Sequence, residues 1–119
     1  MTNSAVLQRA EDALRQELRR GTLILAVLAA LRRERFGAET IDTLNEAGVQ
    51  IEAGALYPML RRLEDQGLLS SERREEGSRL RRFYCITPDG LKLLQNFMAE
   101  LAGLTAALKD LMESSDERA

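Results

Sequence analysis

The side chains in this chain that could do chemistry are arginines, carboxylates and one tyrosine set beside an arginine pair. Arg61 and Arg62 follow Tyr57 and Pro58 closely, and Arg79, Arg81 and Arg82 cluster just after Gly77. A guanidinium is a permanent cation whose planar donors fit phosphate oxygens and the O6/N7 edge of guanine. The natural chemistry of such a set is non-covalent recognition of an anionic polymer. Histidine is absent, which removes most metal sites, imidazole-based nucleophilic catalysis and the usual pH switch. Cys85 is the lone cysteine, so an internal disulfide is ruled out and a packed thiol is the default reading, with a redox role as the alternative. No glycine-rich loop is present to cradle a phosphate cofactor. The expectation is therefore a protein with no cofactor, no metal and no enzymatic reaction.

The net charge of −2 argues at first against a nucleic-acid partner. The distribution of charge argues the other way. Residues 61–85 carry seven arginines against five carboxylates, a local +2, while residues 86–119 carry six carboxylates against three cations, a local −3. Affinity for phosphate follows the face presented, not the total. With 45% hydrophobic and 30% charged residues, the chain has the composition of a folded domain and not of a disordered one. Its longest apolar run, Leu23–Leu31, is far too short to span a bilayer and too deep in the chain for a signal peptide. A cytoplasmic location without membrane contact is expected.

The periodicity predicts the elements that must position the arginines. Leu7, Ala10, Leu14 and Leu18 form a narrow stripe on a helix over 5–20, the width of a contact with a partner helix. Gly21-Thr22 is expected to interrupt it, with Thr22 capping a second, nearly all-apolar and buried helix over 23–33. A third helix is predicted over about 38–47, with Ile41 and Leu44 inward and Gly48 as its stop. A fourth runs from Ala53 to Gln66 with Leu56, Leu60 and Leu63 inward. Pro58 is expected near its start, fixing where the helix begins. Leu68–Arg74 and Leu80–Ile86 read as strands joined through residues 75–79. Thr87-Pro88 then caps a long last helix. On it Leu94, Leu101 and Leu108 hold one heptad position and Phe97, Leu104 and Leu111 the other. That predicts a helix–helix dimer seam, the alternative being a helix folded back on its own domain.

Three helices followed by a hairpin is the winged helix-turn-helix order, in which the third core helix enters the major groove and the hairpin flanks it. Arg61 and Arg62 lie at least partly opposite the buried leucines. They are either a solvated face or a reading pair, with Arg61 at a base edge and Arg62 at a phosphate. Arg79 and Arg81 share one face of their strand and Arg82 takes the other. They either lie on the DNA backbone or in the minor groove, or form a polar hairpin paired locally with Glu75 and Glu76.

The stretch Gly54-Ala55-Leu56-Tyr57-Pro58-Met59-Leu60-Arg61-Arg62-Leu63-Glu64-Asp65-Gln66-Gly67-Leu68 resembles the recognition helix of the PadR-type transcriptional regulators. Arg82-Phe83-Tyr84-Cys85-Ile86-Thr87-Pro88-Asp89-Gly90 is similar to that family's second wing strand leading into its C-terminal helix. Gly21-Thr22-Leu23 and Phe36-Gly37 match the start of its buried helix and the following turn. The likeness covers roughly residues 19–92. Two positions depart from it: Phe36 replaces a usual tyrosine, and Ala55 stands where serine or threonine is frequent. The resemblance implies DNA contacts from Gly54, Ala55, Tyr57, Pro58, Arg61, Arg62, Arg79, Arg81 and Arg82, with the Tyr57 phenol donating to a phosphate instead of merely packing. It also implies a homodimer built by the terminal helices, repression as the mode of action, and a small apolar or planar effector near the seam.

Together these readings predict a mainly α fold with a small β-hairpin. Residues 1–20 would be a helix packed in the dimer and 21–87 a winged helix-turn-helix domain. Residues 88–113 would be the dimerisation helix and 114–119 a flexible tail. The expected interface residues are Leu7, Leu14, Leu18, Leu94, Phe97, Leu101, Leu104, Leu108 and Leu111. The expected function is sequence-specific binding of double-stranded DNA by a homodimeric regulator. The alternative is a ligand-sensing or protein-binding winged-helix module with secondary DNA binding.

Overall fold

Leucines at helical spacing set the framework, and the hairpin closes it. The structure, a computed structural model, describes residues 4–118, with side chains as far as residue 114. Residues 1–3 of the expected first helix and residue 119 of the expected tail lie outside the described residues. The order is α1 (Ser4–Ala30), β1 (Arg35–Phe36), α2 (Gly37–Glu46), α3 (Ala53–Asp65), β2 (Leu69–Glu76), β3 (Arg79–Ile86) and α4 (Pro88–Arg118). No described helix is long and apolar enough to cross a membrane.

The expected break at Gly21-Thr22 does not occur, and α1 is one continuous helix of 27 residues. Thr22 is not a cap: its hydroxyl donates back to the carbonyls of Leu18 (3.2 Å) and Arg19 (3.0 Å). An interior glycine costs a helix only about 1 kcal/mol. Extending an existing helix and burying Val27 and Leu28 outweigh that. The division expected between residues 20 and 21 thus runs through the middle of a helix. The helix also stops earlier than residue 33, at Ala30, after which Leu31 turns into the core.

Both helix-turn-helix members end in the same device. Gly48 (φ +90°) and Gly67 (φ +79°) follow the caps of α2 and α3. Val49 N–H donates to the Leu44 carbonyl (2.8 Å) and Leu68 N–H to that of Leu63 (2.9 Å), the pattern of a Schellman stop. Pro58 is the sixth residue of α3, one and a half turns inside the helix instead of at its start. It removes the bond residue 58 would give the Gly54 carbonyl, a cost tolerated on the exposed side of a helix anchored by Leu56, Leu60 and Leu63.

The strands are longer than expected and the turn shorter. Glu76 pairs with Arg79, leaving only Gly77-Ser78 as the loop. Gly77 takes φ +64° while Ser78 does not go positive, as in a hairpin turn that needs glycine at its first central position. A third strand went unforeseen: Arg35 and Phe36 pair antiparallel with Tyr84 and Phe83, giving a sheet of order β1-β3-β2. Two residues are too few to show alternation, and only the closeness of β3 makes them a strand.

Thr87 caps α4 as expected, accepting from Gly90 N–H (3.0 Å) and donating to the Gly67 carbonyl (2.7 Å). The helix continues to Arg118, so the polar segment expected to fray from Ser114 is helical as far as it is described. The core is made by Val27, Leu28, Leu31, Leu44, Ile51, Leu56, Leu60, Leu63, Leu69, Tyr84 and Leu94. The molecule measures 64 × 34 × 24 Å. The length belongs to α4, whose 31 residues span about 46 Å.

Candidate nucleic-acid interface

Helix α3 turns its leucines inward, and this faces Gly54, Ala55, Tyr57, Pro58, Arg61 and Arg62 to solvent. The sheet brings β3 alongside. Tyr57 and Arg61 from α3 and Arg79, Arg81 and Arg82 from β3 line one open groove of about 630 Å³, floored by Phe36 and Gly37. Arg61 and Arg79, eighteen positions apart in sequence, thus share a single cationic cleft.

The two members of the α3 arginine pair part company. Arg62 lines a different hollow, between α1, α3 and α4, with Arg20, Ile24 and Phe97. Ala55 faces a third, beside Arg19, Gln50 and Glu52. Gly54 and Pro58 lie on the exposed side of α3 outside the groove. Adjacent helical residues are about 100° apart around the axis, which suffices to send Arg61 and Arg62 into different hollows.

The wing is held by contacts the sequence did not reveal, among them those of Arg74, Phe83, Ser71 and Glu64. The Arg81 guanidinium lies 4.0 Å above the Phe36 ring, and Phe36 meets Phe83 edge-on at 5.5 Å. Arg74 covers Phe83 from 4.6 Å and pairs with Glu34 and Glu72. The hydrogen bond to Glu34, chiefly, raises the Arg74 pKa further above its ordinary value. On the other face, Arg82 Nη1 donates to Ser71 Oγ (2.9 Å), which donates in turn to Glu64 Oε2 (2.6 Å). This relay ties the recognition helix to both wing strands. Burial pushes the Tyr84 phenol above its usual range, and the Glu64 carboxylate adds to this against the pull of Arg82 and Arg61. Tyr84 is therefore a packed, protonated phenol in the wall of the groove.

Leu80, at the wing tip between Arg79 and Arg81, is 58% exposed and was not among the expected contacts. An apolar residue alone in an arginine run beside the turn was its signal. No group of metal-ligating residues occurs among the described residues, and Cys85 is a half-buried thiol in β3.

The expected seam residues divide. Leu94 is only 5% exposed and belongs to the core of its own chain. The others lie open on α1 and α4, from Leu101 at 37% to Leu18 at 72%. Leu18, Phe97, Leu101 and Leu104, together with Ile24 and Leu25, border an apolar hollow of about 400 Å³ between the two helices.

A helix-turn-helix pair flanked by an arginine-edged hairpin defines a winged-helix domain of the kind that docks on duplex DNA. The chain belongs to the PadR-like family of transcriptional regulators, whose model matches residues 24–96. It is similar to Transcriptional regulator Rv3488 of Mycobacterium tuberculosis, 41% identical over 76 residues, or 63% of this chain and 71% of that protein. A PadR family transcriptional regulator from Eggerthella lenta superposes with a TM-score of 0.84 at 38% identity, over 92% of this chain and 97% of the other. Bacillus subtilis PadR, solved in complex with operator DNA, shares the fold with a TM-score of 0.61 at 24% identity, over 65% of this chain and 47% of that one. The protein is a transcriptional regulator and not an enzyme.

Proposed function

We propose that this regulator binds double-stranded DNA sequence-specifically as a homodimer, represses from a palindromic operator in the cytoplasm, and is released by a small apolar or planar ligand. The observation that carries the reading is the single groove shared by Tyr57, Arg61, Arg79, Arg81 and Arg82. In this reading Arg61 takes a base edge and the wing arginines take phosphates. Solution of the Bacillus subtilis relative on operator DNA is consistent with that use of the fold. Dimerisation is supported by the many exposed leucines of α1 and α4, since clustered apolar surface marks an interface. Repression is the mode the family resemblance implies, and a dimer occupying its operator would act by blocking access of other proteins to that DNA.

The hollow between α1 and α4 favours a second reading, a ligand sensor whose DNA binding is secondary. Titration of the DNA upstream of the chain's own gene against a random duplex, at several salt concentrations, separates the two. A strong preference for an inverted repeat with half-sites about one helical turn, roughly 34 Å, apart supports the regulator. Equal affinity for both duplexes leaves the sensor.

A further inference from the structure

Gly37 is the first residue of α2 and is buried. A Cβ built on it would lie 2.3 Å from the Tyr57 hydroxyl oxygen, 2.5 Å from its Cε1 and 2.6 Å from its Cζ. Side chains do not approach that closely, so residue 37 and the Tyr57 ring share one space. Its backbone is not in the left-handed region, so the glycine is required for room and not for conformation. The atoms in the way are the far end of a flexible side chain that is 41% exposed. A larger residue at 37 would therefore displace the ring and not the helix. The free direction for the ring is the groove itself, toward Arg61 and the wing arginines.

We propose that Gly37 is a positioning residue for Tyr57: the bare backbone of the first turn of α2 is the bed on which the ring lies, and this bed aims the hydroxyl at DNA phosphate. The proposal rests on the reading of Tyr57 as a phosphate donor. It assigns Gly37 no DNA contact of its own. The geometry also couples the two helices of the helix-turn-helix, because the ring is rooted on α3 and seated on α2.

The chain has no tryptophan and two tyrosines, so Tyr84→Phe leaves Tyr57 as the sole emitter when excitation is too long in wavelength for phenylalanine. In that background Gly37→Ala is expected to raise acrylamide quenching of Tyr57. An unchanged quenching constant overturns the positioning outright. Binding is read on a random-sequence duplex at fixed salt, because phosphate contacts do not depend on sequence. Tyr57→Ala and Gly37→Ala are each expected to lose about five- to tenfold in affinity. The double variant is expected to lose no more than Tyr57→Ala alone. Additive losses overturn the proposal, since Gly37 would then act by itself. If Tyr57→Ala binds as the wild type does, the phosphate reading of Tyr57 fails, and the quenching result still decides the positioning. Should Gly37→Ala fail to fold, recovery of folding in the double variant supports the shared space, and its failure there too overturns it.

Discussion

Arg19 Nη2 donates to the backbone carbonyl of Gln50 at 2.6 Å, across 31 residues of sequence. This one contact joins the exposed half of α1 to the link that ends where α3 begins. A shift of α1 against its surroundings therefore pulls on the approach to the recognition helix. Arg19→Ala should cost about 1 kcal/mol of stability or less, since the donor is exposed. Its loss of affinity for operator DNA should be measurable but no larger than that figure, because the contact can hold the start of α3 by no more than it is worth. Urea midpoints and DNA titrations on the same samples compare the two quantities.

Seam and core leucines on α4 should fail differently. Leu94→Asp places a charge in a site that is 5% exposed in its own chain, and should unfold the protomer. Leu108→Asp falls where the single chain is 62% exposed, and should give a folded monomer while Glu100→Ala stays dimeric. Sedimentation of the three variants, with circular dichroism, tests this. A Leu108→Asp protein that sediments as the wild type does speaks against the seam.

The arginines should separate into three kinds. Removing Arg79 or Arg81 should weaken binding about equally on all duplexes and flatten the salt slope by about one unit per lost contact. Losing Arg61 should cost roughly 1–3 kcal/mol at one base pair of each half-site and little on random DNA. Arg62→Ala, which lines the hollow behind α3, should leave the salt slope near that of the wild type. A salt slope for Arg62→Ala as shallow as that for Arg81→Ala would place Arg62 on the DNA.

Tyr84 should make the protein weaker in alkali. Its pKa is raised in the folded state, mainly by burial, so the folded chain holds the phenolic proton more tightly than the unfolded chain does. The stabilisation is full below the unfolded phenol's pKa of about 10 and is lost as pH climbs through the folded value. Tyr84→Phe removes that loss. Denaturation of both proteins at pH 8 and pH 11 should show the wild type falling further relative to the variant.

A ligand at the α1–α4 hollow can lower DNA affinity only by binding better to the spacing that DNA disfavours. Tenfold weaker DNA binding needs about 1.4 kcal/mol of such preference. Saturating operator must weaken the ligand by the same factor. Planar apolar compounds titrated against Leu104→Trp, free and on DNA, should show the difference. Identical affinities would remove the hollow from the switch.

Much of this molecule is written in residue order. Leucine spacing sets α3 and α4, Gly48 and Gly67 end the two core helices, Thr87-Pro88 starts the last one, and the arginine run marks the wing. These are local effects, decided within a few turns of chain, and a periodic reading recovers them. The remainder needed distant parts to meet. Gly21 stays helical because Val27 and Leu28 further along are buried, and Arg35-Phe36 is a strand only because Tyr84 and Phe83 lie beside it. Leu94 shares a heptad position with exposed Leu101 and Leu108, yet it falls within reach of the core while they run past it. Arg61 and Arg62 are neighbours in sequence, and only the packing of α3 against α2 and β2 assigns them to different surfaces. The vacancy at Gly37 has meaning only once Tyr57, twenty residues on, has filled it. Contacts of that kind depend on chain closure, which no window of sequence contains.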